Sequence, residues 1–126
     1  MSFYIESDAI YITKGDDAVL EVSSITTDSG GEYALQDADV LTLTVRALPS
    51  ADSPALIQID ALPGSNRIVF RHEDTAELTV GRYSADVQLT TAEGKRYTVW
   101  PTITGSSRYV VKNLNNFVIM PEVTAK

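Results

Sequence analysis

Three pairs of neighbouring carboxylates are the residues whose types and spacing could support chemistry in this chain. They are Asp16 with Asp17, Asp37 with Asp39, and Glu73 with Asp74. Two adjacent carboxyl groups can act as a general acid and a general base, or can hold a calcium ion. Each pair lies in a stretch typical of a turn, where aspartate is favoured because its side chain bonds the nearby backbone. We therefore expect structural roles for these acids and no bound metal.

A hydrolase built on a Ser-His-Asp triad would have to use His72, because the chain has no other histidine. The sequence contains no Gly-x-Ser-x-Gly stretch that would expose a serine on a sharp turn. His72 continues the alternation of Ile68 and Phe70 at the end of a predicted strand, which favours a structural position at an edge or partly buried. Cysteine is absent, which excludes thiol nucleophiles, cysteine-bound zinc, iron–sulfur clusters and disulfides. We expect no enzymatic activity and no cofactor.

The net charge of the chain limits the classes of partner that it can bind. There are 17 acidic and 10 basic residues, a net charge of −7 at neutral pH. Binding to nucleic acid depends on clustered Lys and Arg, so we expect no nucleic acid partner. No segment approaches the roughly 18 apolar residues of a membrane span, and the first residues lack the basic start and apolar run of a signal peptide. We expect neither a membrane partner nor a signal peptide.

Four aromatic residues gather in the last third of the chain and could form a surface for a sugar or a protein. They are Tyr97, Trp100, Tyr109 and Phe117. Tyr97 and Trp100 fall on opposite faces of an ideal strand, so at least one of them is expected in the core. A ligand-binding role for this group stays open.

The elements that position these residues are predicted to be strands, because apolar and polar residues alternate along much of the chain. The strongest alternation covers residues 82–90. Its apolar face consists of Tyr83, Ala85, Val87 and Leu89. Residues 41–46 and 67–72 alternate in a similar way. Weaker strand candidates, rich in β-branched or aromatic residues, are residues 10–13, 19–25, 55–60, 96–100, 109–111 and 117–120. Seven to nine short strands are predicted.

At 126 residues the chain fits one domain, spanning residues 1–126, and can bury about two-thirds of its surface. Turn-forming residues separate the predicted strands, most clearly at residues 92–95. The one helical pattern is a single turn over residues 74–78. In this turn Asp74 is the N-cap, and the Glu77 side chain bonds back to the Asp74 backbone. Antiparallel strands without a long helix predict an all-β fold of two packed sheets.

Residues 73–83 have the order of acid, short turn, Leu, Gly and Tyr that is typical of the E–F corner in immunoglobulin-like sandwiches. In that corner Asp74 begins the turn and Gly81 frees the chain just before Tyr83. The Tyr83 hydroxyl is then expected to be buried and bonded to backbone near residues 76–80. The cysteine pair of true immunoglobulin domains is missing. The sequence therefore predicts an immunoglobulin-like antiparallel β-sandwich.

Three segments carry a resemblance to a known family. They are residues 12–16 (Ile-Thr-Lys-Gly-Asp), residues 81–90 (Gly-Arg-Tyr-Ser-Ala-Asp-Val-Gln-Leu-Thr) and residues 117–124 (Phe-Val-Ile-Met-Pro-Glu-Val-Thr). Together with the strands between them, they resemble the immunoglobulin-like domain of baseplate and tail proteins in phages of Gram-positive hosts, similar to the amino-terminal domain of upper-baseplate proteins. The likeness spans residues 9–124. Residues 104–116 depart from it as an insertion before the last strand.

The resemblance implies a non-enzymatic structural module of a phage or prophage virion, made in the cytoplasm of the host bacterium and assembled into the tail or baseplate. Its expected partners are other virion proteins or further copies of itself. A cell-surface adhesion or carbohydrate-binding module is the alternative, since the aromatic group would suit it. A small hydrolase is a more distant one.

The first residues are a candidate docking arm. Phe3, Tyr4 and Ile5 are apolar and uncharged in an otherwise acidic chain, which is unusual for a strand at a sheet edge. We expect residues 1–7 to contact another virion protein or another copy of the chain. The alternative is that residues 3–5, like residues 117–120, pair within their own sheet.

Overall fold

The computed structural model describes residues 3–6, 9–26, 31–48, 52–104, 108–110 and 117–121. These residues form eleven strands and one short helix, α1 (His72–Ala76). The strands are β1 (Phe3–Glu6), β2 (Ala9–Thr13), β3 (Ala18–Thr26), β4 (Glu32–Tyr33), β5 (Val40–Arg46), β6 (Ala55–Asp60), β7 (Arg67–Phe70), β8 (Gly81–Thr90), β9 (Arg96–Thr104), β10 (Arg108–Val110) and β11 (Phe117–Met120). The expected all-β class is confirmed.

The strands follow one hydrogen-bonded path in the order β1-β2-β11-β8-β9-β3-β4. Off this path, β5 pairs with β8 and β6, β7 pairs with β3, and β10 pairs with β9. The pairing of β2 with β11 is parallel, and the other pairings of the described strands are antiparallel. The pairing is therefore mixed and not purely antiparallel as the sequence predicted, because β2 and β11 run in the same direction beside each other.

Strand β8 is central to this path, because its two ends pair with different strands. Its first residues, 81–83, pair with β11, whereas residues 87–90 pair with the first half of β9. The second half of β9, residues 100–104, pairs with β3 instead. Strand β9 thus leaves β8 and continues beside β3, while β11 takes its place.

The core lies on the apolar faces that alternation predicts. Leu41, Leu43 and Val45 of β5 lie opposite Leu89, Val87 and Ala85 of β8, and all six are buried. Phe70 of β7 stacks on Phe117 of β11 with ring centroids 5.7 Å apart. Both rings are fully buried, so this contact joins strands that are not hydrogen-bonded to each other.

Among the described residues there are eleven strands, two more than the upper limit of the expected seven to nine. The nine predicted strands correspond to β2, β3 and β5 to β11, and the additional ones are β1 and β4. Strand β4 has only two residues, too few for an alternation to be visible in the sequence. Strand β1 lies in the segment interpreted as a docking arm, and its backbone pairs with β2 from Phe3 opposite Ile12 to Glu6 opposite Ala9.

The helix begins two residues earlier than predicted, and Asp74 is not its N-cap. Strand β7 ends at Phe70, and Arg71 occupies the N-cap position. The Arg71 N–H donates to the Asp74 carboxylate at 2.7 Å, so Asp74 closes the first turn from inside the helix. His72 accordingly begins a helix rather than ending a strand, and its side chain is exposed.

Two glycines in turns give a test of backbone constraint. Gly64 has φ +77°, and an added Cβ would lie 2.8 Å from the Asp37 carbonyl oxygen; Gly94 has φ +84° with open space around it. We expect Gly94→Ala to cost about 1–2 kcal/mol of unfolding free energy from the left-handed backbone alone. Gly64→Ala should cost about 1–3 kcal/mol more, because the Asp37 backbone must move.

Urea unfolding monitored by circular dichroism measures both losses. Equal losses for the two variants would show that the contact between Gly64 and Asp37 does not constrain the fold.

Candidate functional site

His72 lies between two of the predicted acidic pairs, where α1 meets the turn between β2 and β3. The His72 N–H donates to Asp17 Oδ1 at 2.7 Å. Its imidazole has Nδ1 3.6 Å from Asp17 Oδ1 and Nε2 3.5 Å from Glu73 Oε2. All three side chains are about two-thirds or more exposed, so the ion pairs formed by a protonated imidazole contribute about 0–1 kcal/mol.

A buried contact beneath these residues fixes the turn to the helix. The Gly15 N–H donates to Thr75 Oγ1 at 2.8 Å, and Thr75 is fully buried. Together with the bond from His72 to Asp17, this attaches the β2–β3 turn to α1 at two points. The acids at this junction accept backbone hydrogen bonds, which is the structural use expected of aspartate in turns. In the described part of the chain, no group of three or more His, Asp or Glu residues is arranged to hold a metal ion.

Asp37 and Asp39, the remaining acidic pair, differ in burial. Asp39 is 2% exposed, whereas Asp37 is exposed. Asp39 Oδ2 accepts from the Tyr33 hydroxyl at 2.5 Å and from the Gln36 N–H at 2.8 Å. Its carbonyl oxygen also accepts from the Gly64 N–H at 2.8 Å. Asp39 therefore holds together the loop before β5 and the turn after β6.

Tyr33 is the residue of this loop that the sequence did not indicate. Its hydrogen bond to Asp39, its burial and the negative charge of Asp39 together raise the pKa of the Tyr33 hydroxyl to about 12. The bond holds a proton on Tyr33 that would otherwise be lost near pH 10. No sequence pattern predicts this contact, because Tyr33 lies in a two-residue strand and the loop of six residues between it and β5 has no regular period.

The corner between α1 and β8 contains the predicted tyrosine contact. The Tyr83 hydroxyl donates to the Thr79 carbonyl oxygen, which lies in the expected range of residues 76–80. Tyr83 is half-buried rather than buried, because only its ring packs against the core. Gly81 is the first residue of β8 and has φ +155° with open space around it, a backbone conformation that residues with a side chain rarely adopt.

Of the four aromatic residues in the last third, the two whose side chains are described do not share a surface. Phe117 is fully buried in the core, while Tyr97 is 50% exposed. Trp100 lies on β9 and Tyr109 on β10, but their side chains are outside the described residues. Among the described side chains, Tyr97 alone of these four is exposed to a ligand.

The polar face of β5, β6 and β8 carries a network of side-chain hydrogen bonds. The alternation of residues predicted this face but not the contacts on it. Thr42 Oγ1 donates to Asp60 Oδ1 at 2.6 Å, and Gln58 Nε2 donates to Thr44 Oγ1 at 3.2 Å. Burial raises the pKa of Asp86 on this face, and the Arg46 guanidinium opposes the shift. Arg46 Nε in turn donates to the Ser53 carbonyl oxygen at 2.9 Å, so the loop after β5 is tied to the same face.

The docking arm and the insertion are described in part. Residues 3–6 form β1 at the edge of the sheet, and residues 1–2 and 7 lie outside the described residues. In the predicted insertion, β9 extends to Thr104 and β10 pairs back on it, with Arg108 opposite Thr104. Residues 105–107 and 111–116 lie outside the described residues.

Comparisons of the chain with protein-family models, with curated proteins and with solved structures give no match. Within the described residues, no helix has the length and apolar character needed to cross a membrane. The geometry of the described residues is therefore the basis for the function proposed below.

The contact between Tyr33 and Asp39 makes stability depend on alkaline pH. The unfolded chain loses the Tyr33 proton near pH 10, whereas the folded chain keeps it until about pH 12. The stabilisation is complete below pH 10 and is lost as pH rises through about 12. We expect the stability advantage of the wild type over Tyr33→Phe to shrink between those values in urea unfolding.

Absorbance titration of the phenol groups gives an independent readout. The last group to ionise in the wild type should be missing in Tyr33→Phe and still present in Tyr97→Phe, which removes an exposed phenol. A late ionisation that persists in Tyr33→Phe would assign the raised pKa to another tyrosine.

The corner bond predicts a small effect for Tyr83→Phe. Loss of one partly exposed hydrogen bond should lower the unfolding free energy by about 0.5–1.5 kcal/mol, because water can replace the hydroxyl at the Thr79 carbonyl. Tyr97→Phe is the matched control and should change stability by less than about 0.5 kcal/mol. If both variants unfold at the same urea concentration, the corner bond contributes nothing.

Proposed function

We propose that this chain is a non-enzymatic structural module of a phage or prophage virion, with an immunoglobulin-like sandwich that binds other proteins of the tail or baseplate. The observation that carries the proposal is the position of the corner. The segment 81–90, which resembles the phage family, begins at Gly81 and contains Tyr83, whose hydroxyl donates to the Thr79 carbonyl oxygen.

The strand pairings support an immunoglobulin-like arrangement. The pairing of β3 with β7 corresponds to strands B and E, that of β5 with β8 to strands C and F, and that of β8 with β9 to strands F and G. Strand β6 beside β5 corresponds to C′ of the variable type. The arrangement differs at β9, whose second half pairs with β3 and joins the two sheets.

The use of the polar side chains supports a structural role over catalysis. Asp17 and Asp74 accept backbone hydrogen bonds at the start of α1, and Asp39 holds two loops together. His72 is flanked by carboxylates at both ring nitrogens, so the described surroundings offer it no hydroxyl nucleophile. In each of the three acidic pairs, at least one aspartate thus has a contact that stabilises the fold.

The alternative of a carbohydrate-binding module is supported by one observation. Tyr97 is half-exposed on β9, where its ring could stack on a sugar. Buried Phe117 does not contribute to such a surface. Titration with bacterial cell-wall polysaccharide, followed by tyrosine fluorescence in the wild type and in Tyr97→Ser, tests this alternative.

The docking role of residues 1–7 follows from the position of β1. Strand β1 pairs with β2 on one side, and no other described strand pairs with it. A partner strand could therefore be added at this edge through backbone hydrogen bonds. We propose that another virion protein binds there.

Deletion of residues 1–7 tests this docking role. The deletion removes one four-residue strand at the sheet edge, so the melting temperature should fall by only about 2–8 °C. Co-purification with tail proteins encoded by neighbouring genes should be lost. Leu48→Ser, which changes an exposed apolar residue outside this segment, should retain partner binding.

Three outcomes would contradict the proposal. Unfolding of the shortened chain would place residues 1–7 in the core, and unchanged partner binding would exclude them from the interface. Absence of the protein from purified particles, measured by mass spectrometry, would contradict the virion role itself.

A further inference from the structure

Five described strands pair with another described strand on one side only: β1, β4, β6, β7 and β10. Strand β6 is the longest of them with six residues, and the others have two to four. An unpaired edge of this length exposes backbone donors and acceptors to any strand of matching shape. The edge of β6 is therefore the largest one among the described residues.

The usual protections of an edge strand are weak in β6. Natural edges are blunted by Lys, Pro, inward-pointing charges or shortness. Strand β6 contains one charged residue, Asp60 at its end, and the Asp60 carboxylate already accepts a bond from Thr42. A register shift near Leu56 interrupts the pairing with β5 only at the start of the strand, so residues 57–60 pair regularly.

The backbone groups that face the open edge can be assigned from the ladder with β5. The Ala61 N–H donates to the Leu41 carbonyl oxygen at 2.8 Å, which directs Ala61 towards β5. Because direction alternates along a strand, Ile59 also faces β5. The N–H and C=O groups of Gln58 and Asp60 therefore point away from β5, to the open edge.

A second copy of the same strand fits this edge in one antiparallel register. When Ile59 lies opposite Ile59 of the second copy, Gln58 lies opposite Asp60, and four backbone hydrogen bonds form between these two residues and their symmetry mates. The cores of both copies then lie on the same side of a continuous sheet. A shift by one residue would place one core on the wrong face.

Side chains in this register complement each other on both faces. On the core side, half-buried Ile59 meets its own copy, and Ile57 meets Ala61. On the polar side, the Gln58 amide faces the Asp60 carboxylate, an uncharged donor against an acceptor. At the ends, Leu56 and Leu62, which are 40% and 77% exposed, approach each other across the two-fold axis.

We propose that two copies of this chain form a symmetric dimer through the edge of β6, with Ile59 at the two-fold axis. The dimer extends the sheet containing β5 and β8 across both copies. The inference rests on the described edge alone and is independent of the proposed virion role. Strand β1 is not part of this interface.

A negative or a positive charge introduced at position 58 tests the register. Gln58→Glu places a carboxylate opposite Asp60 twice per dimer and should weaken dimerisation about tenfold, whereas Gln58→Lys should strengthen it by a similar factor. Thr98→Glu and Thr98→Lys are matched controls, because Thr98 lies on the same face in β9 and gives the same change of net charge. Sedimentation equilibrium at an ionic strength of about 0.15 M measures the dissociation constants.

Cross-linking supplies a second measurement. In an antiparallel pair whose backbone groups face away from each other, Cα atoms are about 4.5 Å apart, a distance that a disulfide can span. Because the chain has no cysteine, Ile59→Cys should form covalent dimers in air within hours. Val118→Cys, half-buried in β11 between β2 and β8, is the matched control and should remain monomeric.

The two measurements decide the proposal together. A wild-type chain that sediments as a monomer at concentrations of about 1 mM, or Ile59→Cys that cross-links no faster than Val118→Cys, would overturn it. So would equal effects of the charge changes at positions 58 and 98. Loss of the dimer on deletion of residues 1–7, with position 58 insensitive, would place the interface at β1 instead.

Discussion

The backbone ladder of β8 is the interaction on which the rest of the structure depends. Its ten residues pair with β5 from Ser84 to Thr90, and on the other side they pair first with β11 and then with β9. Every described strand is therefore connected to β8 directly or through one or two neighbouring strands. The same strand contributes Tyr83 to the corner, three residues to the core and Asp86 to the polar face.

Alternation located most of this fold because a period of two both defines a strand and sorts its side chains between core and solvent. It was sufficient for the buried hydrophobic residues of β5 and β8, which all lie on the predicted apolar faces, although Thr44 and Ser84 on the polar faces are buried too. It failed where a strand was too short to alternate and where a side-chain hydrogen bond determined the first residue of the helix. Strand β4 is too short to alternate, and α1 begins at His72 because the bond from Arg71 to Asp74 outweighs the N-cap that Asp74 itself would have provided.

The candidate site was less accessible to sequence reasoning. Aspartate in turns correctly suggested backbone contacts, but Asp16, Asp37 and Asp39 look alike in the sequence while only Asp39 is buried. Its partners, Tyr33 and the Gly64 N–H, lie 6 and 25 residues away in the sequence, and no local pattern joins the three residues. The hydrogen bond to Asp39, and after it burial, raises the pKa of Tyr33, and burial raises the pKa of Asp86. Both effects follow from tertiary packing.

The parallel pairing of β2 with β11 has a mechanical consequence. Because the strands run in the same direction, a pull on the chain before β2 and after β11 acts along their shared ladder in opposite senses. The hydrogen bonds from Ile10 opposite Phe117 to Thr13 opposite Met120 are then loaded together in shear rather than opened one by one. Strand β1, antiparallel to β2, would peel off first and leave this clamp to bear the load.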